Sequence, residues 1–429
     1  MLERLFKLSA NRTDVKTELM AGLTTFLTMA YIIFVNPDIL AKAGMDFGAV
    51  FVATCLAAAF GSIFMGLYAN YPIALAPGMG INAYFAFGVV IGMGHSWQVA
   101  LGAVFLSGML FFLLSLFRLR EWLINAISHS MKLGIAGGIG LFLAIIGLQS
   151  AGIVVPSPAT MVTLGDLRNP TVLLSALGLM IIVALTARKV PGAVVIAILT
   201  VSALGISLGH GSFKGVIEAP PSLVPTFLAM DLSGAANLGL VAIVFTFLFM
   251  DLFDNTGTLI GVAHRAGLLD KEGRLPRIKE ALMVDSTSAM VGAAFGTSTT
   301  TSYIESAAGV NVGGRTGLTA VTVGLLFLAA IFLAPLAASI PSYATAPALF
   351  FVACLMTDGL KDIDWSDVTE YVPAMVIAIT MPLTFSIAHA IGLGFIAYVG
   401  IKLLSGRWRE AHPAVVVIAL AFALKIAIQ

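Results

Sequence analysis

Tyr71-Pro72-Ile73-Ala74-Leu75-Ala76-Pro77-Gly78-Met79-Gly80-Ile81-Asn82 lies where a membrane helix would otherwise run, and it carries two prolines and two glycines. Proline removes a main-chain donor and clashes with the preceding turn, and glycine adds backbone freedom, so a helix breaks here. In the second half of the chain, 296–314 reads the same way, with Thr, Ser and Gly in the breaking role. An extended piece followed by a half-helix is expected in both. Irregular backbone at membrane depth survives only where protein or a water-filled cavity satisfies it. Half-helix N-termini direct their positive dipole ends at a midplane site, so a substrate is expected between these two segments.

The rest of the chain sets both segments in a bilayer. It is 59% hydrophobic and 10% charged, with mean hydropathy +1.01, against about 25% charged residues in a soluble domain. Apolar runs long enough to span recur throughout. The expected spans are 19–36, 48–69, 71–93, 97–117, 132–150, 171–188 and 191–209, then 237–258, 280–296, 297–312, 316–338, 343–357, 371–389 and 391–404. The run 413–428 is left over: an extra span, an interfacial helix, or a sign that the segments around Gly392 form one broken unit. A net charge of +1 gives no basic surface for nucleic acid. Cys55 and Cys354 read as small core residues, the six His have no ligand spacing, and no cofactor or metal is expected. The polar, basic 1–16 argues against a cleavable signal peptide.

Positive charges order the spans. Arg4, Lys7, Arg12 and Lys16 precede the first; Arg118 and Arg120 follow the fourth; Arg188 and Lys189 follow the sixth. Arg265, Lys271, Arg274, Arg277 and Lys279 lie between the eighth and ninth, and Lys402, Arg407 and Arg409 follow the fourteenth. If every span crosses, all fall on one side, which places the N-terminus in the cytoplasm. The chain also reads as a duplication: Thr25-Phe26-Leu27-Thr28-Met29 returns as Thr246-Phe247-Leu248-Phe249-Met250, and Gly140–Ala144 resembles Ala348–Val352. Seven spans per half force the halves into opposite orientations. The expected fold is therefore an all-α polytopic membrane protein of about fourteen transmembrane segments in two inverted seven-span repeats. Its divisions are a cytoplasmic 1–18, a first repeat over 19–209, an extracytoplasmic connection 210–236, a second repeat over 237–404 and a C-terminal apolar segment 405–429.

Three carboxylates fall inside the spans. Asp251 and Asp254, three apart on one helix, share a face, and Glu305 lies in the second broken segment. A carboxylate in the bilayer core costs at least a few kcal/mol and normally serves a cavity, a pair or a proton path. Substrate binding and proton coupling are the readings for all three, against helix capping or a place near the aqueous end. Asn82 offers donor and acceptor, either to a ligand or to the broken backbone. Thr25, Thr28, Thr299, Thr300, Thr301 and Ser302 bond a ligand or bond back within their own helices. Asp285 and Ser286 read as structural. Phe247, Phe249, Phe253 and Tyr84 offer flat faces, although Phe is common here and packing is the ordinary role. His264 and Arg265 read as a cytoplasmic helix end. A protease dyad needs two acids converging, generally from different helices, which Asp251 and Asp254 are not.

At Thr13–Tyr31, Ala76–Ala83, Asp251–Thr258 and Thr297–Gly317 the chain resembles the AzgA-like purine permeases of the nucleobase–cation symporter-2 (xanthine/uracil permease) superfamily, over nearly its full length. The resemblance implies core and gate domains, with the third and tenth spans pairing as short strands with half-helices. It implies uptake of adenine, guanine or hypoxanthine coupled to protons, across the cytoplasmic (inner) membrane, by a protein that works as a homodimer. Its substrate-binding positions fall on Asn82, Asp251 or Asp254, and Glu305; the residue reading adds Thr28 and Ser302 to the substrate contacts, and Asp254, Asp251 and Glu305 are the candidates for carrying the proton. Residue chemistry agrees, because carboxylates and an amide read the N–H edge of a neutral planar base. Uracil or xanthine symport, or a channel, are the alternatives.

Overall fold

The computed structural model describes residues 2–116, 126–237, 241–270 and 275–428. Among these, nine helices are long and apolar enough to cross a membrane, and the shorter apolar helices Met79–Gly92, Ala193–Ser207, Val368–Thr384 and Pro413–Leu424 accompany them. The protein is a mostly helical polytopic membrane protein. Arg118, Arg120, Lys271 and Arg274, read above as cytoplasmic charges, lie outside the described residues, as does the start of the expected eighth span at 238–240.

Helix starts follow local chemistry. Asp14, Asp46, Ser128, Asn169, Thr316, Asp367 and Ser386 each cap a helix by accepting a main-chain N–H, which satisfies a donor that the first turn leaves unpaired. The first expected span is two helices, Val15–Met29 and Ile32–Lys42, interrupted at Ala30 and Tyr31. The eighth runs longer than expected, Val241–Arg265, and ends where His264 and Arg265 suggested.

The two broken segments meet. Strand β1 (Leu75–Pro77) pairs antiparallel with the later strand β4 (Thr300–Ser302), in the register Leu75↔Ser302, Ala76↔Thr301, Pro77↔Thr300. Beyond the strands, Gly78 N–H donates to the Thr299 carbonyl (2.9 Å) and Tyr303 N–H to that of Ala74 (3.0 Å). Ser62 Oγ closes both free groups of Leu75, donating to its carbonyl at 3.1 Å and accepting its N–H at 3.0 Å. Short helices leave each strand, Met79–Ala83 after β1 and Ser306–Asn311 after β4.

Around this crossing, Phe47–Phe64 packs on Gly317–Ala330, and Trp97–Leu116 packs on Ile278–Phe295. A second group gathers on His129–Ser150, which packs against Ser342–Thr357 and Val368–Thr384. Where Gly66 and Gly317 meet, a Cβ on either residue would strike the backbone of the other, so only glycine permits this approach.

Three features depart from the expected outline. A hairpin, β2 (Val154–Ser157) with β3 (Met161–Leu164), stands between the expected fifth and sixth spans. The late break falls at Phe385, in the left-handed region (φ 49°), rather than at 389–391. Consequently Ile387–Leu404 is one continuous helix through Gly392, and Pro413–Ile428 is a separate helix packed on it. Cys55 is buried as expected, whereas Cys354 is exposed.

Candidate functional site

The crossing of β1 and β4 places a polar cluster inside an apolar protein. All three β4 residues are buried, and the Oγ atoms of Thr299, Thr300, Thr301 and Ser302 have no protein hydrogen-bond partner among the described residues. The same holds for Thr25 Oγ1 and for both side-chain polar atoms of Asn255. Buried polar atoms cost free energy unless bonded, so this concentration of them makes the crossing the candidate site.

Asn82, fully buried, lies on the short helix after β1. Its Oδ1 is paired with Ser298 Oγ, while its Nδ2 has no protein partner among the described residues. Ser298 immediately precedes the Thr299–Ser302 run, so Asn82 belongs to the same crossing. Ser302 sits opposite Leu75 in the ladder.

The carboxylates approach from two elements. Asp251 is buried on the Val241–Arg265 helix, and Asp254 is half-buried one turn on. That helix packs against β4 and against the helix Ser306–Asn311. The close of β1 lies beside Asp254: a Cβ on Gly78 would stand 3.7 Å from Asp254 Oδ2 and 2.9 Å from Thr301 Cγ2. Glu305 precedes the helix Ser306–Asn311. It interacts electrostatically with Asp254, and both carboxylates act on Tyr31 and Tyr303. Asp254, Glu305, Asn82 and Ser302 are thus assembled around one crossing, although they come from three separate segments, and Asp251 is buried one turn before Asp254 on the same helix.

Thr28 stands differently. Its hydroxyl bonds back to the Thr25 carbonyl at 2.7 Å and the Thr24 carbonyl at 3.1 Å, and reaches the Glu305 carbonyl at 3.5 Å. Tyr84 and Phe247 pack edge to face on each other (centroids 4.9 Å apart), and Phe249 lies 6.3 Å from Phe395. The side chain of Phe253 lies outside the described residues. Ser286 bonds back within its helix, to the Leu282 carbonyl, and Asp285 is buried.

Sequence reasoning passed over three residues. Tyr31 donates its phenolic proton to Glu305 Oε1 at 2.6 Å. Tyr303 donates to the Pro77 carbonyl at 2.5 Å. Glu18, fully buried, accepts N–H groups from Arg315 (2.9 Å), Thr316 (3.3 Å) and Thr319 (3.2 Å) and the Thr319 hydroxyl at 2.6 Å. A buried tyrosine needs a partner for its hydroxyl, and that was the available signal for the first two.

Comparison with known proteins shows the family to which the chain belongs. The profile described as "Permease family" (Xan_ur_permease) matches residues 16–393. Adenine permease AdeP of Escherichia coli (strain K12) is 53% identical over 99% of this chain and 96% of its own length. Guanine/hypoxanthine permease PbuO of Bacillus subtilis (strain 168) is 46% identical over 98% of this chain and 99% of its own. Among solved structures, the transmembrane domain of the cyanobacterial bicarbonate transporter BicA superposes with a TM-score of 0.67 at 17% identity, covering 88% of this chain and 96% of that one. At that identity the likeness concerns the fold.

Proposed function

The chain belongs to the nucleobase–cation symporter-2 permease family, and on that premise we propose that it imports purine nucleobases (adenine, guanine or hypoxanthine) by proton symport. The observation that carries this reading is the assembly of acceptors and donors at the β1–β4 crossing. Carboxylates at Asp251, Asp254 and Glu305 are built to accept hydrogen bonds, the Asn82 amide nitrogen to donate, and the hydroxyls of Thr299–Ser302 to do either. A purine is planar and largely neutral, and offers both N–H donors and ring-nitrogen acceptors. A strongly anionic substrate would meet carboxylates instead. The names of the relatives, adenine permease and guanine/hypoxanthine permease, point the same way.

Asn82, Asp251, Glu305, Thr28 and Ser302 are the proposed substrate contacts. Asp254, Asp251 and Glu305 are the proposed proton carriers: a carboxylate that loads on one side of the membrane and releases on the other couples uptake to the gradient. The proposed architecture has fourteen spans, as inverted repeats over 19–209 and 237–404 joined by an extracytoplasmic 210–236, with 1–18 cytoplasmic and 405–429 as a C-terminal segment. Antiparallel pairing of the two broken segments supports it, as does the division of the helices into two packed groups. The distribution of Lys and Arg supports a cytoplasmic N-terminus in a bacterial-type inner membrane. A homodimer is the assembly that the family resemblance implies.

Uptake of labelled adenine, guanine, hypoxanthine, xanthine and uracil into cells lacking purine transport is the test. Saturable purine accumulation that collapses with a protonophore is expected. Carriage of uracil without adenine or hypoxanthine overturns the substrate assignment. Passive equilibration would indicate a channel, and accumulation indifferent to the protonophore would remove the proton.

A further inference from the structure

Glu305 and Asp254 act on each other electrostatically, yet the protein treats them differently. Among the described residues Glu305 has a side-chain donor, the phenol of Tyr31 at 2.6 Å to Oε1, and Asp254 has none. The other phenol of the cluster, Tyr303, is committed to the Pro77 carbonyl and so holds the β1 backbone. Tyr31 is 1% exposed and sits in the interruption between the helices Val15–Met29 and Ile32–Lys42. The helix that follows Glu305 is seated tightly on the first of these: a Cβ on Gly309 would stand 2.5 Å from the Ala21 carbonyl oxygen. The Glu305 side chain and the helix that follows it are therefore both referred to one stretch, Val15–Tyr31, close to the point where its helix is broken.

We infer that Tyr31 is a positioning residue for Glu305: its phenol holds one carboxylate oxygen and thereby sets the direction in which the other meets the nucleobase. The inference rests on the nucleobase reading above and adds to it a residue that touches the carboxylate rather than the substrate. At 2.6 Å the phenol–carboxyl bond is a short, directional one. Without it the Glu305 side chain turns freely about its own torsions, and that freedom must be lost again on each binding event.

Transport kinetics of the full chain test this. Tyr31→Phe keeps the ring and removes only the hydroxyl. It should raise KM for the carried purine roughly tenfold, with the maximal rate and the amount in the membrane unchanged, as expected when binding energy alone is lost. In a Glu305→Asp background, where the shorter carboxylate no longer reaches the phenol, the same substitution should raise KM by less than about twofold. A KM within about twofold of wild type in Tyr31→Phe, or effects of the two substitutions that multiply, overturns the inference. A lower maximal rate and membrane level at unchanged KM also overturns it, because that is the signature of a purely structural residue. If the wild-type chain carries purines normally and only the Tyr31 result fails, the functional reading stands. If the wild type carries no purine, that reading falls and takes this inference with it.

Discussion

Glu305 and Asp251 are acids on apolar elements, and replacing each by its amide separates charge from shape. Glu305→Gln keeps the reach of the side chain but turns one acceptor into a donor, and Asp251→Asn does the same one helix away. Each should reduce purine uptake by at least about tenfold, while immunoblots of membranes show unchanged protein. Wild-type uptake in either variant would remove that residue from the site. Burial of charge is not by itself the mark of a site in this protein. Glu18 is fully buried but already bonded by three main-chain N–H groups and a hydroxyl, so it holds the start of the helix Gly317–Ala330 against the first helix. Asp251 and Asp254 were legible in the sequence because they interrupt an apolar run, and Glu305 because it lies in the second broken segment. Glu18 was not, since it stands at the polar margin of a span and its partners lie about three hundred residues away. Tyr31 escaped notice for a related reason: an aromatic in a membrane helix reads as packing until the partner of its hydroxyl is known.

At the scale of elements, the crossing of β1 and β4 depends on a side chain outside both strands. Ser62 Oγ bonds both the N–H and the carbonyl of Leu75. Ser62→Ala leaves both groups unsatisfied in a buried setting, at a cost of about 1–3 kcal/mol. Thermal unfolding of the detergent-solubilised protein should therefore show a lowered midpoint, and an unchanged midpoint would show that the strand needs no such support. The breaks at 71–82 and 296–314 were readable because proline, glycine and hydroxyl residues announce them. The break at Phe385 was not. It is made by a non-glycine residue in the left-handed region, capped onward by Ser386, with the nearest proline inside the preceding helix. Tertiary packing pays the local cost there, and a single sequence does not record it.

At the scale of the whole molecule, a charge network ties the last helices together. Lys402, fully buried, pairs with Glu370 (2.9 Å) and Glu410 (2.7 Å), and Arg407 pairs with Asp367 (2.7 Å) and Glu410 (2.8 Å). Lys402 and Arg407, read from sequence as cytoplasmic charges after the last expected span, thus bind the start of one helix to the end of the next. The Thr369 hydroxyl, with Arg407 behind it, holds Asp367 at about 2, and Arg407 and then Lys402 hold Glu410 at about 2. Both values lie below those of the unfolded chain, so between about pH 4.5 and 2 the unfolded chain binds more protons. The stabilisation is fully present above that window and is lost as pH falls through it. Unfolding midpoints measured from pH 6 down to pH 3 should decline in the wild type and decline less in Arg407→Gln; parallel curves would exclude the network as the cause.

The β1–β4 ladder also bears on the order in which the chain is made. Pro77 and the Tyr303 hydroxyl that bonds its carbonyl are 226 residues apart. At ordinary synthesis speeds of about 5–20 residues per second, β1 is made roughly 11 to 45 seconds before its partner exists. During that interval its main-chain groups have no ladder, and of the bonds described here only those from Ser62, thirteen residues upstream of Leu75, come from chain already synthesised. Ser62 is then a placeholder as well as a clasp, and biogenesis of this permease has a waiting period whose length is set by the distance between its two halves.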